Sequence, residues 1–369
     1  MTSGDIILVI VVGTAILFDF TNGFHDTANV VATAISTRAL GPRRAVALAS
    51  VLNFVGAFIS LKVAATIGKG FVDSGAVTTT VVFAALVGAI GWNLITWYYG
   101  LPSSSSHALI GGLVGAVIAA EGWSAVNGKG LVDKLIVPAV VARLIAFLIA
   151  GTSIFIVYQI VGRLRPGAVG RGFRLGQIVS SSLLALSHGT NDAQKTMGVI
   201  TLALIANGNI PAAGFHVPNW VVVTAASAIS LGTFTGGWRI IKTVGTRIIS
   251  MDPAQGFAAQ TAGAVVILAA SSVGYPLSTT HVISGGITGA GAAKSVSAVR
   301  WGVAGDIVRA WVLTLPAAAA LAAVVYGITQ LFGSGALGPL VVAVALLIGG
   351  GTLFARRALP RVARPVTQQ

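Results

Sequence analysis

Two short polar motifs recur in a chain that is otherwise almost entirely apolar. Motif 1 spans residues 22–29 and reads NGFHDTAN, and motif 2 spans residues 188–195 and reads HGTNDAQK. Ionisable groups inside apolar segments mark ion or proton pathways. The residues predicted to handle coupling cations or protons are Asn22, His25, Asp26, His188, Asp192 and Lys195. If a metal ion is involved, the two carboxylates, Asp26 and Asp192, are its candidate ligands.

A second pair of sequences repeats at a constant offset of 174 positions. Tip 1 spans residues 100–107 and reads GLPSSSSH, tip 2 spans residues 274–281 and reads GYPLSTTH, and a glycine-rich stretch follows each. Proline followed by Ser and Thr predicts a helix N-terminus with free backbone N–H groups and hydroxyl donors. Such an end binds anions, and phosphate oxygens suit it well. The candidate anion-binding residues are Ser104, Ser105, Ser106, Ser278, Thr279 and Thr280.

The composition predicts that membrane helices position these motifs. Of 369 residues, 55% are hydrophobic and only 9% are charged, and the mean hydropathy is +0.90. A soluble domain carries about 25% charged residues, so a water-soluble globule is excluded. The 47 glycines favour closely packed helices, which makes a homodimer compatible with the sequence. The absence of cysteine excludes disulfides and thiolate metal sites.

The charge distribution predicts the orientation of the chain in its membrane. The net charge is +14, which in a soluble protein would suggest a nucleic-acid partner. If the loop around Arg43 is cytoplasmic and the segments alternate, 16 of the 23 Lys and Arg residues fall in cytoplasmic loops and three in outer loops. This asymmetry is the positive-inside pattern. It predicts a multi-pass protein of a bacterial-type inner membrane with a cytoplasmic C-terminus and no nucleic-acid partner.

The repeated motifs divide the chain into two halves. We predict repeat 1 at residues 1–161, a cytoplasmic linker at 162–175, repeat 2 at 176–330, and an extra C-terminal span with a basic tail at 331–369. An odd number of crossings in each half would invert one half relative to the other, and inverted repeats are typical of secondary transporters. The predicted fold is all-α: a polytopic bundle of two inverted repeats, with about 10–12 membrane segments, broken helices and re-entrant hairpin tips.

The depth of the motifs predicts where the helices break. Residues 6–37 would span about 48 Å as one helix, which exceeds a membrane core of about 30 Å. We therefore predict a break near motif 1, and for the same reason a break near motif 2 within residues 176–206. Residues 77–120 contain no acidic residue, Lys or Arg, and are predicted to fold back at residues 102–106 as a re-entrant tip.

Three further charged residues lie inside predicted segments. Asp306 and Arg309 are spaced to form an ion pair along one helix, so we predict a structural role for them. The sequence leaves the role of Asp19 open. Asp26 and Asp192 would repel an anion unless a proton or a cation compensates their charge. Import of each negative charge against 100 mV also costs about 2.3 kcal/mol. The sequence therefore predicts that positive charge moves together with the anion.

At these motifs the chain resembles the inorganic phosphate transporter (PiT) family. The family's duplicated Asn-Asp-x-x-Asn signature corresponds to residues 25–29 and 191–195, and the two tips and the Gly-Trp-Arg sequence at 237–239 are similar as well. The resemblance implies a non-enzymatic permease in a lipid bilayer that works by alternating access. It also implies phosphate held between the motifs and the tips, by the six tip residues together with Asp26, Asn29, Asn191 and Asp192.

Two departures from the family signature bear on the coupling ion. His25 replaces the first Asn, and Lys195 replaces the last. This pattern resembles the bacterial permeases that carry phosphate with a divalent metal such as Mg²⁺ and with protons, since Lys195 could take the place of a sodium ion electrostatically. The resemblance thus predicts symport of H⁺, and no bound cofactor. The alternatives are a sodium-coupled phosphate symporter and a sulfate permease of the same family.

Two other classes of protein are disfavoured. An intramembrane hydrolase could use the serines of tip 1 with His107, but no Gly-x-Ser-x-Gly or His-Glu-x-x-His sequence is present. A channel is the second class, and linear, unsaturable flux would identify it.

Overall fold

The chain folds into helices joined by short turns. The computed structural model describes residues 2–161, 165–211 and 215–358, and within these ranges it contains no β-strand. In chain order the helices are α1 (Ser3–Ser36), α2 (Pro42–Gly56), α3 (Lys62–Lys69), α4 (Thr79–Tyr99), α5 (Ser105–Glu121), α6 (Gly128–Leu131), α7 (Val137–Val161), α8 (Pro166–Ala206), α9 (Asn219–Thr235), α10 (Trp238–Lys242), α11 (Pro253–Ser272), α12 (Thr279–Lys294), α13 (Trp301–Gln330) and α14 (Leu337–Ala358). The all-α prediction is confirmed.

Six helical segments of the described chain are long and apolar enough to cross a membrane by themselves. They are α1, α4, α6 with α7, α11, α13 and α14. The bent pair α9–α10 makes a seventh if it is counted as one span. This is fewer than the 10–12 segments predicted, because the prediction also counted apolar stretches that form shorter or interrupted helices, such as α5 and the pair α2–α3.

The helices that carry the two motifs are unbroken, so the predicted breaks near motifs 1 and 2 are wrong. Helix α1 runs for 34 residues and α8 for 41, which is about 51 and 62 Å at 1.5 Å per residue. Neither contains a proline beyond its first turn. Hydroxyls such as those of Thr27 and Thr190 bond to the carbonyl four residues earlier, and other elements bind several of the remaining polar side chains, such as those of Asp26, Asn29 and Lys195. The helical backbone therefore has no need to open.

Breaks occur instead in the helices that pack against α1 and α8. Helix α9, which packs on α1, ends at Thr235 and continues as α10 at an angle of 62°. The left-handed backbone of Gly236, with φ of +71°, allows this bend. On the other side, α2 packs on α8 and is separated from α3 by residues 57–61. Broken helices are thus part of the fold, one on each side of the motifs.

Both predicted hairpins are present. Helix α4 ends just before Gly100, whose φ is +69°, and α5 begins within tip 1. Likewise, α11 ends before Gly274, whose φ is +87°, and α12 begins within tip 2. A serine caps the N-terminus of each new helix. Ser104 Oγ accepts from the His107 N–H at 3.1 Å, and Ser278 Oγ accepts from the His281 N–H at 3.4 Å. These helices span 17 and 16 residues, about 26 and 24 Å, so each is shorter than a membrane core.

The two halves of the chain interleave. Helix α5 of the first half packs on α13 of the second, and α12 of the second packs on α7 of the first. Likewise, α1 of the first half packs on α9 of the second, and α8 of the second packs on α2 of the first. Helix α8 begins at Pro166, inside the predicted linker at 162–175, of which residues 162–164 lie outside the described residues. The halves therefore share one core.

Close approach of α1 and α9 depends on glycine. A Cβ atom at Gly23 would overlap the carbonyl oxygen of Ile229, and one at Gly232 would overlap that of Phe20. The backbones thus touch beside motif 1, in the manner of small-residue contacts between membrane helices.

We expect Gly23→Ala to lower the free energy of unfolding by about 1–3 kcal/mol, because the added methyl group overpacks this contact. Gly13→Ala, on the same helix but with nothing within 4 Å of the added atom, is the matched control and should change it little. Thermal unfolding of the purified variants in detergent measures both. Equal midpoints for the two variants would contradict the assigned contact.

Candidate functional site

The polar side chains of both motifs and both tips meet in the interior of the bundle. Motif 1 lies in the middle of α1, motif 2 in the middle of α8, and the tips lead into α5 and α12. All fourteen residues that the sequence assigned to the site are at most 2% exposed. Buried polar groups must find partners inside the protein, so their hydrogen bonds define the site.

The Asp26 carboxylate joins α1 to both tips. Its Oδ2 atom accepts the Ser105 hydroxyl of tip 1 at 2.9 Å and the Thr279 hydroxyl of tip 2 at 3.4 Å. Its Oδ1 atom lies 2.7 Å from the Nδ1 atom of the adjacent His25. One side chain of motif 1 therefore holds hydroxyls from two hairpins that are 174 residues apart in the chain.

One turn later on the same helix, Asn29 binds tip 2 alone. Its Nδ2 atom donates to the hydroxyl oxygens of Thr279 at 3.2 Å and of Thr280 at 2.9 Å. The amide holds two adjacent residues at the first turn of α12. Motif 1 thus orients the N-terminus of this helix, whose free N–H groups and positive dipole end favour anions.

On the opposite helix, Lys195 connects motif 2 to both tips. Its ammonium group donates to Asp192 Oδ1 at 2.7 Å, to the Ser106 hydroxyl of tip 1 at 2.5 Å and to the Leu277 carbonyl of tip 2 at 2.9 Å. An ammonium group has three donors, and all three are used. The charges of Lys195 and Asp192 therefore cancel locally, which a buried acid inside an apolar bundle requires.

The two motif helices also meet each other, at a cluster of three possible metal ligands. One ligand atom each of Asp26, His188 and Asp192 lies within 4.8 Å of the others. The Nδ1 atom of His188 lies 3.1 Å from the amide oxygen of Asn53, which can only accept, so Nδ1 carries a proton, and in the neutral ring Nε2 then presents its lone pair. That Nε2 atom lies 3.4 Å from Asp192 Oδ2, an atom with no hydrogen-bond partner among the described residues. Two facing acceptors favour a proton or a cation between them.

Three of the predicted residues have other partners, and a fourth has none within the described part of the chain. Ser104 and Ser278 cap their helices, and Asn191 donates to the Ser271 hydroxyl at 2.8 Å and to the Tyr275 carbonyl at 3.3 Å. Asn22 is buried without a hydrogen-bond partner for its amide among the described residues. The sequence groups these residues with the site, but the contacts place them around its edge.

Several residues around the site are not among those that the sequence assigned to it. The Nε2 atom of His25 lies 3.2 Å from the Thr96 hydroxyl and 3.3 Å from that of Ser103. Asn53, which orients His188, is an isolated amide in the apolar helix α2, and polarity at a buried position is the only clue to it. The rings of His107 and His281 lie 4.8 Å apart, where the two short helices meet. Of the other charged residues, Asp306 and Arg309 form the predicted ion pair at 2.9 Å.

Comparison with known proteins identifies the chain. Residues 22–322 match the profile of the Phosphate transporter family, and a relative from Mycobacterium tuberculosis (strain H37Rv) is 53% identical over 89% of this chain and 78% of its own length. The chain belongs to the phosphate transporter family. Relatives from Rhizobium meliloti and Bacillus subtilis are 51% and 47% identical, over 87% and 88% of this chain and 96% and 98% of their own lengths. All three are named "Probable low-affinity inorganic phosphate transporter".

The fold of the transporter agrees with that of a solved relative. The structure named "The sodium-dependent phosphate transporter" superposes with a TM-score of 0.77 at 28% identity, covering 88% of this chain and 99% of that one. The resemblance to the phosphate transporters is confirmed. The protein is a multi-pass membrane phosphate transporter, and it belongs to a family of permeases rather than enzymes.

The buried pair of Lys195 and Asp192 should dominate the stability of the site. We expect Lys195→Met to lower the free energy of unfolding by about 3–5 kcal/mol, because it leaves a buried carboxylate unpaired. Lys294→Met removes the partner of Asp252 in a partly exposed ion pair and should lower it by at most about 1 kcal/mol.

Chemical unfolding in mixed micelles measures both losses. The double variant Lys195→Met with Asp192→Asn carries no unpaired charge at this pair, so it should recover part of the lost free energy of unfolding. Equal losses for the Lys195 and Lys294 variants would contradict the assigned pairing.

Proposed function

We propose that this transporter imports inorganic phosphate by symport with protons, and that it holds the anion between motifs 1 and 2 and the two tips. The observation that carries the proposal is the convergence of both tips on both motifs, through Asp26 on one side and Lys195 on the other. The residues that bind phosphate in this proposal are Asp26, Asn29, Asn191, Asp192, Ser104, Ser105, Ser106, Ser278, Thr279 and Thr280.

The donors around the proposed site suit a tetrahedral oxyanion. The Ser105 and Thr279 hydroxyls donate to Asp26, and the Ser106 hydroxyl donates to the Leu277 carbonyl. The hydroxyl oxygens of Thr279 and Thr280 accept from Asn29. Each can turn toward a phosphate oxygen, beside two helix N-termini and the Lys195 ammonium group. When phosphate binds, its oxygens replace the protein acceptors of these hydroxyls, so that no buried donor is left without a partner.

The two carboxylates favour phosphate over sulfate. At neutral pH phosphate keeps at least one O–H group, which can donate to Asp26 or Asp192, whereas sulfate offers only acceptors and would face carboxylate oxygens directly. A site that holds a buried acceptor rejects an analogue without the matching donor. Arsenate, which shares the protonation of phosphate, should therefore compete for uptake and sulfate should not.

Positive charge that moves with phosphate comes from two sources in this proposal. A divalent metal such as Mg²⁺, carried as part of a neutral metal–phosphate complex, would bind at the Asp26–His188–Asp192 cluster, whose carboxylate oxygens suit a hard cation. Protons supply the rest. The fixed ammonium group of Lys195 already supplies, beside Asp192, the single positive charge that a sodium ion would bring, which argues against sodium at this position.

Sodium coupling is the second candidate. It is favoured by the likeness to the solved relative, whose name describes that protein as sodium-dependent. The two candidates make different demands on motif 2, because a sodium ion there would have to share Asp192 with Lys195.

We further propose that the two halves are inverted repeats that alternate access to the site. The matched packing of α5 on α13 and of α12 on α7 supports this, as does the burial of the site on all sides. The positive-inside distribution of Lys and Arg orients the C-terminus toward the cytoplasm.

A transport assay that crosses the driving ions tests the coupling. In proteoliposomes, an inwardly directed pH gradient should drive phosphate uptake without sodium, and Mg²⁺ should stimulate it. Uptake that required a sodium gradient and ignored the pH gradient would overturn proton coupling and establish the second candidate.

Hydroxyl deletions test the binding site. Ser105→Ala and Thr279→Ala should each raise the KM for phosphate about tenfold, because each removes a donor to a buried anion. Ser272→Ala removes a hydroxyl that bonds only to a carbonyl of its own helix and should leave the KM unchanged. Initial uptake rates over a phosphate series measure the effect. An unchanged KM in both tip variants would exclude these hydroxyls from binding.

A further inference from the structure

A carboxylate outside both motifs has no partner for its charge. Asp19 lies on α1 and is 0% exposed, and neither of its carboxylate oxygens has a hydrogen-bond partner among the described residues. It precedes Asp26 by seven residues, which is two helical turns, so both acids lie on the same face of α1, about 10 Å apart along its axis. A buried acid this close to the phosphate site, but not part of it, needs its own explanation.

The groups around Asp19 offer hydrogen bonds but no free positive charge. The amide of Asn22 and the hydroxyl of Thr196 lie close to the carboxyl group, and both side chains are themselves buried without a hydrogen-bond partner in the described chain. The charged groups that act on it from α8 are Asp192 and Lys195. Lys195 already donates to three acceptors, and Asp192 is a like charge.

Two of the helices that pack on α1 add no charge around it. Helices α4 and α9 both pack on α1, and neither contains an acidic residue, Lys, Arg or His. On α1 itself the nearest titratable groups are His25 and Asp26, which bind each other. An ionised Asp19 would therefore be an uncompensated buried charge, which is much less stable than the neutral acid.

A proton suits this site better than a metal ion does. A protonated carboxyl group carries one donor and remaining acceptors, which match the amide of Asn22 and the hydroxyl of Thr196. A hard cation would need about six oxygen ligands, and the described side chains that offer a hydrogen bond to Asp19 supply one amide and one hydroxyl.

We propose that Asp19 is a proton-binding residue of the transport cycle, a neutral acid in the conformation described here and ionised when its proton is released. The inference rests on the proposed proton-coupled function. Ionised Asp19 competes with Asp192 for Lys195, so loss of its proton is felt at the phosphate site through that ammonium group. The equivalent position of the second half is Ala185, so only one half supplies this acid.

Infrared spectroscopy tests the protonation without any transport. The wild-type protein in lipid should show the carbonyl band of a protonated carboxylic acid at neutral pH, and this band should be lost in Asp19→Asn. Asp306→Asn, which removes an acid from an exposed ion pair, is the matched control and should keep the band. A wild-type band that survives in Asp19→Asn, or no band at all, would overturn the inference whether or not the protein couples to protons.

Transport assays test the coupling. A gradient of one pH unit, with the membrane potential clamped to zero, supplies a factor of about ten in accumulation for each coupled proton. Asp19→Asn imitates the protonated acid, so phosphate-for-phosphate exchange should continue while accumulation at this gradient falls about tenfold below wild type. Asp19→Glu keeps an ionisable group and should restore part of the accumulation.

The outcomes separate the two proposals. If Asp19→Asn accumulates phosphate like the wild type, or loses exchange as well as accumulation, Asp19 is not the coupling acid. If the wild type itself exchanges phosphate but ignores the pH gradient, the proposed coupling fails, and the infrared band alone decides whether Asp19 holds a proton.

Discussion

The Asp26 carboxylate is the contact on which the arrangement of the site depends. It accepts hydroxyls from both tips, and no solvent is available at this depth to replace either donor. In water such hydrogen bonds contribute little, but inside an apolar bundle an unmade one leaves a buried polar group without a partner. The same requirement fixes Asn29 on tip 2 and Lys195 on both tips. The helices therefore have little freedom in how they assemble, because the polar side chains must all meet at one point.

The two halves of the site are similar in position and different in charge. Asn29 and Lys195 occupy equivalent places, yet one is a neutral donor and the other carries a full positive charge next to Asp192. Motif 1 consequently presents an acid balanced by hydroxyls and an imidazole, whereas motif 2 presents an acid that is already neutralised. A bound anion would face a fixed cation on one side and exchangeable charge on the other. This difference is the physical basis for separate roles of the two motifs in the proposed cycle.

The sequence predicts the components of the site better than the path of the backbone. The repeated motifs and the proline–hydroxyl tips are sufficient to predict the hairpins and to select residues that lie within one buried cluster. The predicted breaks in α1 and α8 are wrong, because side chains of an intact helix can reach partners in the tips and in α2, so length and polarity do not require an open backbone. Asn53 and Thr96 could not be found from sequence, since their importance comes from neighbours 135 and 71 positions away. The bend at Gly236 depends on a positive φ angle. A glycine permits this angle, but a glycine in the sequence does not by itself predict it.

The interleaving of the halves has a consequence for the synthesis of the protein. While the first half leaves the ribosome, α5 lacks α13 and α7 lacks α12, because these two helices have not yet been made. Motif 1 and tip 1 would then enter the bilayer with several of their hydrogen-bond partners missing. Such a chain has many contacts between residues far apart in sequence, and chains of this kind fold slowly. We therefore expect the fold to be completed late in biogenesis, when the second half supplies the missing neighbours of the first.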